Sequence, residues 1–117
     1  MNALMLTTDL LIASQASGAA ADQGAEFVHV LSAAALLEHV QQQPFDLIVV
    51  DLANCNTDLA ELVAGLRTTD SPGPRVLAFG PHVHAARLAA ARDAGCDEVL
   101  TRGQFHAGMH ELFAGSR

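Results

Sequence analysis

The fold of this chain is decided by one short stretch, residues 45–52, which reads FDLIVVDL. Four consecutive apolar residues at 47–50, three of them β-branched, are typical of a parallel strand that is buried on both faces. Asp51 then stands where this strand leaves the sheet. Because ligands and chemistry collect at the carboxyl ends of strands in open α/β sheets, Asp51 is the best functional candidate in the sequence. A structural role, in which Asp51 hydrogen-bonds loop amides or caps a turn, fits the same position.

The composition is that of a small acidic globular protein. The chain has 117 residues, a formal net charge of −7 and six basic residues, all of them arginine. This length suits one domain over residues 1–117 that buries its core without disulfides or metals. The acidity argues against nonspecific binding to nucleic acid or to anionic membrane surfaces, but it is compatible with a basic protein partner. Since Trp and Tyr are absent, the core is expected to be aliphatic and rich in alanine.

The two cysteines predict a reducing compartment. Cys55 and Cys96 are too few for a disulfide framework and lack CxxC spacing. They fall at opposite ends of the predicted sheet, which a strand of four or five residues holds about 13–17 Å apart, so no bridge between them is expected. No apolar run approaches the length of a membrane span. We therefore expect a cytoplasmic protein, most simply a bacterial one.

Strands and helices alternate along the whole sequence. Strands are predicted at residues 3–6, 26–31, 47–50, 75–79 and 97–100. Helices are predicted at residues 10–21, 33–42, 59–66, 82–94 and 104–114, with Ser32 and the pair Asp58 and Glu61 as N-terminal caps. Residues 71–74, SPGP, break the chain before the fourth strand. This alternation predicts an α/β three-layer sandwich, a (βα)5 unit around a five-stranded parallel sheet.

The strand order 2-1-3-4-5 of flavodoxin-like sheets would bring several loops around Asp51. The switch point of that order lies between the first and third strands. Asp51 would then face the loop Thr7-Thr8-Asp9 across a crevice, and Gly80 and Arg102 would line the same rim.

These loops and their spacing resemble the receiver domain of two-component response regulators, over essentially the whole chain. The stretch FDLIVVDLANCNTDLAELVAGLR at 45–67 is similar to the family's phospho-acceptor strand and following helix, and RVLAFGPHVHAARLAAARDAGCDEVLTRGQF at 75–105 resembles its second half. The resemblance implies that Asp51 is the phospho-acceptor position of a signalling module rather than an enzyme. It also implies protein partners, such as a histidine kinase or an output domain, and a homodimer contact through the fourth helix, fifth strand and fifth helix.

The sequence departs from the family's pattern at the positions that surround the acceptor. Thr7 and Thr8 stand where the family has two acidic residues that hold Mg²⁺. Gly80 replaces its Ser or Thr, Arg102 its Lys, and Val99 its switch aromatic. A hydroxyl pair is a poor substitute for anionic ligands of Mg²⁺, and each lost catalytic donor typically costs about 10²–10³ in rate. The expectation is a degenerate receiver, or pseudo-receiver, without Mg²⁺ or another cofactor.

One alternative stays open for the site, and two others are disfavoured. Asp51 could still accept phosphate by an altered route, with Asp9 turned inward as a lone metal ligand, although capping the first helix is the simpler role of Asp9. A flavodoxin-like flavin binder is disfavoured by the absence of Trp, Tyr and a hydroxyl-rich phosphate loop. A haloacid-dehalogenase-type phosphatase is disfavoured because Ala53, rather than Asp, stands two residues after Asp51.

Two histidine pairs are possible metal ligands on spacing alone. His82 and His84 precede or begin the fourth helix, where positions i and i+2 point to different faces. His106 and His110 share a face of the fifth helix beside Glu111, but no third ligand is evident. Solvated polar residues are the simpler interpretation of both pairs, so no metal site is predicted.

Overall fold

The computed structural model describes residues 1–55, 57–67 and 73–114. The strands are β1 (Asn2–Leu6), β2 (Glu26–Val30), β3 (Leu47–Asp51), β4 (Arg75–Gly80) and β5 (Glu98–Thr101). The helices are α1 (Leu10–Asp22), α2 (Ala33–Gln42), α3 (Leu59–Leu66), α4 (Ala85–Asp93) and α5 (Arg102–Phe113), and a short 3₁₀ turn covers Leu52–Asn54. All strand pairs are parallel and the order is β2-β1-β3-β4-β5. The predicted fold class and strand order are confirmed.

Strand β3 lies at the centre of the sheet, and all five of its residues are buried. It pairs with β1 on one side and with β4 on the other, so every backbone group of the run can join a ladder. The β-branched residues suit this position because their side chains pack well on a pleated sheet with helices on both faces. The carboxyl ends of β1 and β3 are neighbours, which sets Asp51 beside the β1–α1 loop.

The sheet separates two hydrophobic clusters of different character. On one face, α2, α3 and α4 supply aliphatic side chains such as Leu36, Leu62 and Leu88. On the other face, α1 supplies small residues while α5 supplies Phe105 and Phe113. The Phe105 ring stacks on Phe79 of β4, with ring centroids 4.1 Å apart. The expected aliphatic core is therefore confirmed for the first face, whereas the second concentrates aromatic rings against alanines.

The N-terminal caps explain where several helices begin. Asp9 caps α1 by accepting hydrogen bonds from the backbone N–H groups of Leu11 and Ile12. Ser32 caps α2 and Asp58 caps α3 in the same manner, so the three predicted caps are confirmed.

The structure corrects the start of two helices. Helix α4 begins at Ala85, not at His82, because the His84 N–H donates to the Pro81 carbonyl and closes a turn first. Helix α5 begins at Arg102, not at 104. Thr101 and Gln104 form a capping box that starts it directly after β5. Of the predicted breaker at 71–74, residues 71 and 72 lie outside the described residues, while Gly73 adopts a positive φ of 74°.

Candidate functional site

Asp51 is the last residue of β3, and its side chain is completely buried. Its carboxylate is the N-terminal cap of the 3₁₀ turn at Leu52–Asn54, accepting from the Ala53 N–H at 3.2 Å. The turn-capping role considered for this position is therefore present in the structure. It places a carboxylate at the switch point between β1 and β3, which is where parallel α/β sheets collect ligands.

Two side chains also donate hydrogen bonds to the Asp51 carboxylate. The Thr7 hydroxyl donates to Oδ2 at 2.8 Å, and the Asn54 amide donates to the same oxygen at 2.9 Å. The Thr7 Oγ1 in turn accepts from the Asp9 N–H at 3.0 Å. The Thr7 hydroxyl has a single proton to donate. Because its oxygen accepts the Asp9 N–H, the hydroxyl proton is directed at Asp51. Three donors thus compensate the burial of the carboxylate.

The Thr8 side chain reaches the same loop but not the carboxylate. Its hydroxyl donates to the Asn54 carbonyl at 3.1 Å, and its backbone N–H donates to that oxygen at 3.0 Å. Thr8 therefore joins the β1–α1 loop to the segment after β3. Thr7 and Thr8, which stand where acidic residues were expected, have different tasks in this structure.

Asp9 is held by the helix that it caps and by a cation from the far end of the chain. Its carboxylate accepts from the Ile12 and Leu11 N–H groups and pairs with the Arg102 guanidinium at 3.2 Å. The Ile12 hydrogen bond, with the Arg102 contact and the Leu11 hydrogen bond, lowers the pKa of Asp9 below its usual value, against the opposing effect of desolvation. The Asp9 carboxylate is therefore already occupied by the two backbone N–H groups and by the Arg102 guanidinium.

Arg102 lies on the rim, and its guanidinium pairs with Asp9 rather than with Asp51. It is the first residue of α5, directly after the Thr101 cap, and about a third of its side chain is exposed. The sequence predicts the rim position of Arg102 correctly. The pairing of Arg102 with Asp9 joins the first residue of α5 to the N-terminal cap of α1, 93 residues away in the chain.

Gly80 and Val99 lie near the site without touching the carboxylate. A Cβ built on Gly80 would lie 3.5 Å from Leu52 Cβ and 3.7 Å from Leu88 Cδ2, which is ordinary van der Waals contact. Val99 is half-buried and packs against the aliphatic cluster. The absence of a hydroxyl at position 80 is thus not imposed by crowding.

The residues around Asp51 do not fit a bound Mg²⁺. This ion demands near-octahedral oxygen ligands and is usually bound through one or two carboxylates that are free to coordinate it, with waters and substrate phosphates completing the shell. Here the Asp51 Oδ2 accepts two side-chain donors, the Asp9 carboxylate caps α1 and pairs with Arg102, and Thr7 directs a proton into the pocket. Over residues 1–55, 57–67 and 73–114, no group of three or more His, Cys, Asp or Glu could hold a metal ion.

Sequence reasoning missed three residues that shape this site. Asn54 donates to Asp51, and its position three residues downstream is the available signal, because such spacing closes a local turn. Arg87 of α4 donates to the Leu52 carbonyl at 2.8 Å and braces the same turn. A His29 ring nitrogen lies 2.8 Å from the Thr7 carbonyl. Neither of the last two contacts leaves a local pattern in the sequence.

The hydrogen bonds described for the Asp51 carboxylate come from Thr7, Ala53 and Asn54, and none comes from the cysteines or from His82, His84 or His110. His82 and His84 are exposed in the turn before α4, and His110 pairs with Asp22 at 3.1 Å. Cys55 and Cys96 are free thiols, as expected. Burial, with a contribution from the Asp51 charge, raises the pKa of the Cys55 thiol, which does not favour the reactive thiolate.

The arrangement defines a doubly wound α/β domain with a buried, hydrogen-bonded carboxylate at its switch point. No protein-family profile matches the sequence, and no curated protein matches it. None of the described helices is long and apolar enough to cross a membrane.

Solved structures share this fold closely despite low sequence identity. A putative response regulator from Chloroflexus aurantiacus superposes with a TM-score of 0.77 at 16% identity, covering 97% of this chain and 96% of that one. Chemotaxis response regulator CheY4 of Vibrio cholerae gives 0.77 at 16% identity over 95% and 93% of the two chains. The beryllofluoride-activated receiver domain dimer of NtrC4 gives 0.73 at 16% identity over 96% and 98%. The chain therefore has the fold of response-regulator receiver domains.

Proposed function

We propose that residues 1–117 form a pseudo-receiver, a signalling module that keeps the acceptor position at Asp51 without ordinary Mg²⁺-dependent phosphorylation. The observation that carries the proposal is the hydrogen bond from the Thr7 hydroxyl to the Asp51 carboxylate. In this geometry a neutral donor fills the place that the resemblance assigns to an acidic metal ligand. The receiver fold of the solved structures supports the signalling half of the proposal.

The chemistry of phosphoryl transfer explains why this exchange matters. Transfer to a carboxylate requires the acceptor oxygen to be free and the charge on the transferring group to be neutralised, mostly by metal and cationic groups. At Asp51 the Oδ2 is occupied by Thr7 and Asn54, Gly80 supplies no hydroxyl, and Arg102 pairs with Asp9. Each missing contribution is worth about 10²–10³ in rate, so the combined loss is prohibitive.

A small-molecule phosphodonor tests the proposal. The purified chain is incubated with acetyl phosphate and Mg²⁺ and analysed by intact-mass spectrometry, with the NtrC4 receiver domain, which is described as beryllofluoride-activated, treated in parallel as a positive control. We expect no added phosphate on this chain. A phosphate adduct that disappears in Asp51→Asn would overturn the proposal.

The second candidate is a receiver in which Asp51 accepts phosphate by an altered route. One observation favours it: the second carboxylate oxygen, Oδ1, accepts a single described hydrogen bond, from the Ala53 N–H. A lone pair of that oxygen is left for a nucleophilic role. The phosphodonor experiment separates the two candidates, because this one requires an Asp51-dependent adduct, with or without Mg²⁺.

The proposed partners are proteins: a histidine kinase, an output domain or a second copy of this chain. For the homodimer, the contact would use α4, β5 and α5, and the solved NtrC4 receiver domain is described as a dimer. Light scattering over a range of concentrations tests it. We expect Ala89→Glu, at an exposed position of α4, to abolish any dimer. Ser14→Glu, at an exposed position of α1, is expected to leave the dimer unchanged. A monomer at all concentrations would contradict the homodimer alone.

The remaining features of the proposal follow from the same assignment. The domain acts as a binding module and not as an enzyme, and it uses no cofactor. Its net charge of −7 opposes direct contact with nucleic acid or anionic membranes. Two unpaired thiols suit a cytoplasmic location.

A further inference from the structure

A groove of about 480 Å³ runs between α3 and α4, outside the hydrogen-bonded pocket of Asp51. One wall is built from Ala90 and Ala91 of α4 and Ala94, which caps that helix. Leu59 at the start of α3 and Leu52 also line the groove. Small alanine side chains leave this space open, whereas the cores of proteins are close-packed. Ala90 is exposed at this groove, whereas Ala91 and Leu52 are buried and form its apolar floor.

The dimensions of the groove fit a small molecule. Small-molecule sites commonly have volumes of about 300–1,000 Å³ and mostly apolar walls with a few polar groups, and the volume of this groove falls within that range.

The charges at the groove favour a cation. Asp58 and Asp93 line it, and neither carboxylate has an ion-pair partner among the described residues. Asp93 is also the last residue of α4, where the helix dipole adds negative potential. Among the described residues that line the groove, Arg87 is the only cation. It is already bonded to the Leu52 carbonyl, and it lies six residues from Asp93, about 9 Å along the helix axis.

We propose that the α3–α4 groove binds a small organic cation with an apolar body. The cationic group lies near Asp93, away from Arg87, and the apolar body covers Ala90, Ala91 and Leu52. The net charge of −7 raises the local concentration of such a ligand. This site does not depend on the proposed role of Asp51.

A pair of probes with the same ring system and opposite charge tests the ligand class. Uniformly ¹⁵N-labelled protein is titrated with 1-naphthylmethylammonium and, separately, with 1-naphthylacetate. We expect saturable shifts of the amides of Ala90 and Ala91 with the ammonium probe, and at least about fivefold weaker binding of the carboxylate. Equal or stronger binding of the carboxylate, or no saturable shift with the ammonium probe, would overturn the proposal.

Variants locate the site and its charge. Ala90→Phe places a ring in the groove from an exposed helical position and is expected to abolish binding. Asp93→Asn is expected to weaken it about fivefold, while Glu38→Gln on exposed α2 removes the same charge elsewhere and changes it little. Circular dichroism confirms folding of each variant. Unchanged binding in folded Ala90→Phe, or equal losses in the two charge variants, would contradict the placement.

The Cys55 thiol, which lines the groove, supplies an independent readout. In a Cys96→Ser background, the ammonium probe is expected to slow alkylation of Cys55 by N-ethylmaleimide. An alkylation rate that does not respond to a saturating probe would place the probe outside the groove.

Discussion

At the scale of single residues, one hydroxyl connects the backbone of Asp9 to the carboxylate of Asp51. Thr7 Oγ1 accepts from the Asp9 N–H and donates to Asp51, so it fixes the β1–α1 loop against the end of β3. A side chain of the same shape without the hydroxyl would leave a buried carboxylate short of one donor. The cost of an unsatisfied buried polar group is about 1–3 kcal/mol, and more when the group is charged.

Thr7→Val is therefore expected to lower the free energy of unfolding by about 1–3 kcal/mol. Thr8→Val is the matched control, because the Thr8 hydroxyl bonds a carbonyl at an exposed position and its loss should change stability by about 0.5 kcal/mol or less. Urea denaturation at pH 7 measures both. Equal effects of the two substitutions would contradict the assigned role of Thr7.

A second pair of substitutions tests the space at Gly80. The Cβ of Gly80→Ala meets ordinary contacts, and the φ of Gly80 is not positive, so we expect stability to change by about 1 kcal/mol or less. Gly95 has a φ of 101°, and Gly95→Ala is expected to cost more, about 1–3 kcal/mol. Thermal unfolding compares the two. A larger loss of stability in Gly80→Ala than in Gly95→Ala would show that position 80 has no room for a side chain.

The positions of Asp51 and its neighbours can be predicted from the sequence because these residues follow strands. Side-chain contacts between residues far apart in the chain cannot be predicted in this way. The β-branched run at 47–50 identifies the central strand, and the alternation of elements then sets the β1–α1 loop beside it. The pairing of Arg102 with Asp9 depends on side-chain geometry across 93 residues. No local pattern encodes that choice, so Arg102 is predicted on the rim but without its partner.

At the scale of elements, the starts of helices separate what local sequence can and cannot predict. Asp9, Ser32 and Asp58 are read correctly because each is followed at once by helix-forming residues. The start of α4 is predicted wrongly by the same reasoning, because the helix is preceded by a turn. Its residues His82 and Val83 carry no breaker after Pro81, and the turn is closed by a backbone bond from His84 to Pro81 that periodicity does not detect.

The junction of α3, β4 and β5 depends on Asp97. Its carboxylate accepts from the Val76 N–H at 2.7 Å and pairs with Arg67 at 2.8 Å. Burial acts to raise the pKa of Asp97, but the Val76 hydrogen bond and the Arg67 charge outweigh it, so the pKa is lowered. A carboxyl group with a lowered pKa in the folded state contributes stability above its unfolded pKa, near 3.9, and loses it as the pH falls through the folded value.

Asp97→Asn is expected to destabilise the protein by up to about 1 kcal/mol at pH 7, a modest value because 44% of the side chain is exposed. The difference from the unsubstituted protein should stay constant from pH 7 to about pH 5 and shrink below about pH 4. Urea denaturation across this range measures it, with Glu38→Gln as a control that should show no such trend. A difference that grows on acidification would contradict the assignment.

At the scale of the whole molecule, the two faces of the sheet are stabilised by different means. One face is covered by three helices with leucine and valine side chains, and the other by two helices with phenylalanine set against alanine. Composition predicts the scarcity of aromatic rings but not their position. Phe79, Phe105 and Phe113 belong to one cluster because the pleat of β4 and the inner face of α5 meet there.

Phe105→Ala is expected to destabilise the protein by about 3–5 kcal/mol, since it empties a buried site and removes the ring that stacks on Phe79. Leu10→Ala is the control, because Leu10 is 69% exposed and its truncation should matter by about 0.5 kcal/mol or less. Calorimetric melting temperatures distinguish them. Similar melting temperatures would show that the second cluster contributes little.

The contact between α1 and α5 has a consequence for the newly made chain. Helix α1 lies early in the sequence, yet the α5 rings that share its hydrophobic cluster, Phe105 and Phe113, are among the latest of the described residues. Domains are synthesised at about 5–20 residues per second, so Ile12 and its alanine neighbours would wait several seconds on the ribosome without their cover. During that interval the nascent chain presents an uncovered apolar sheet face, the kind of surface that chaperones bind.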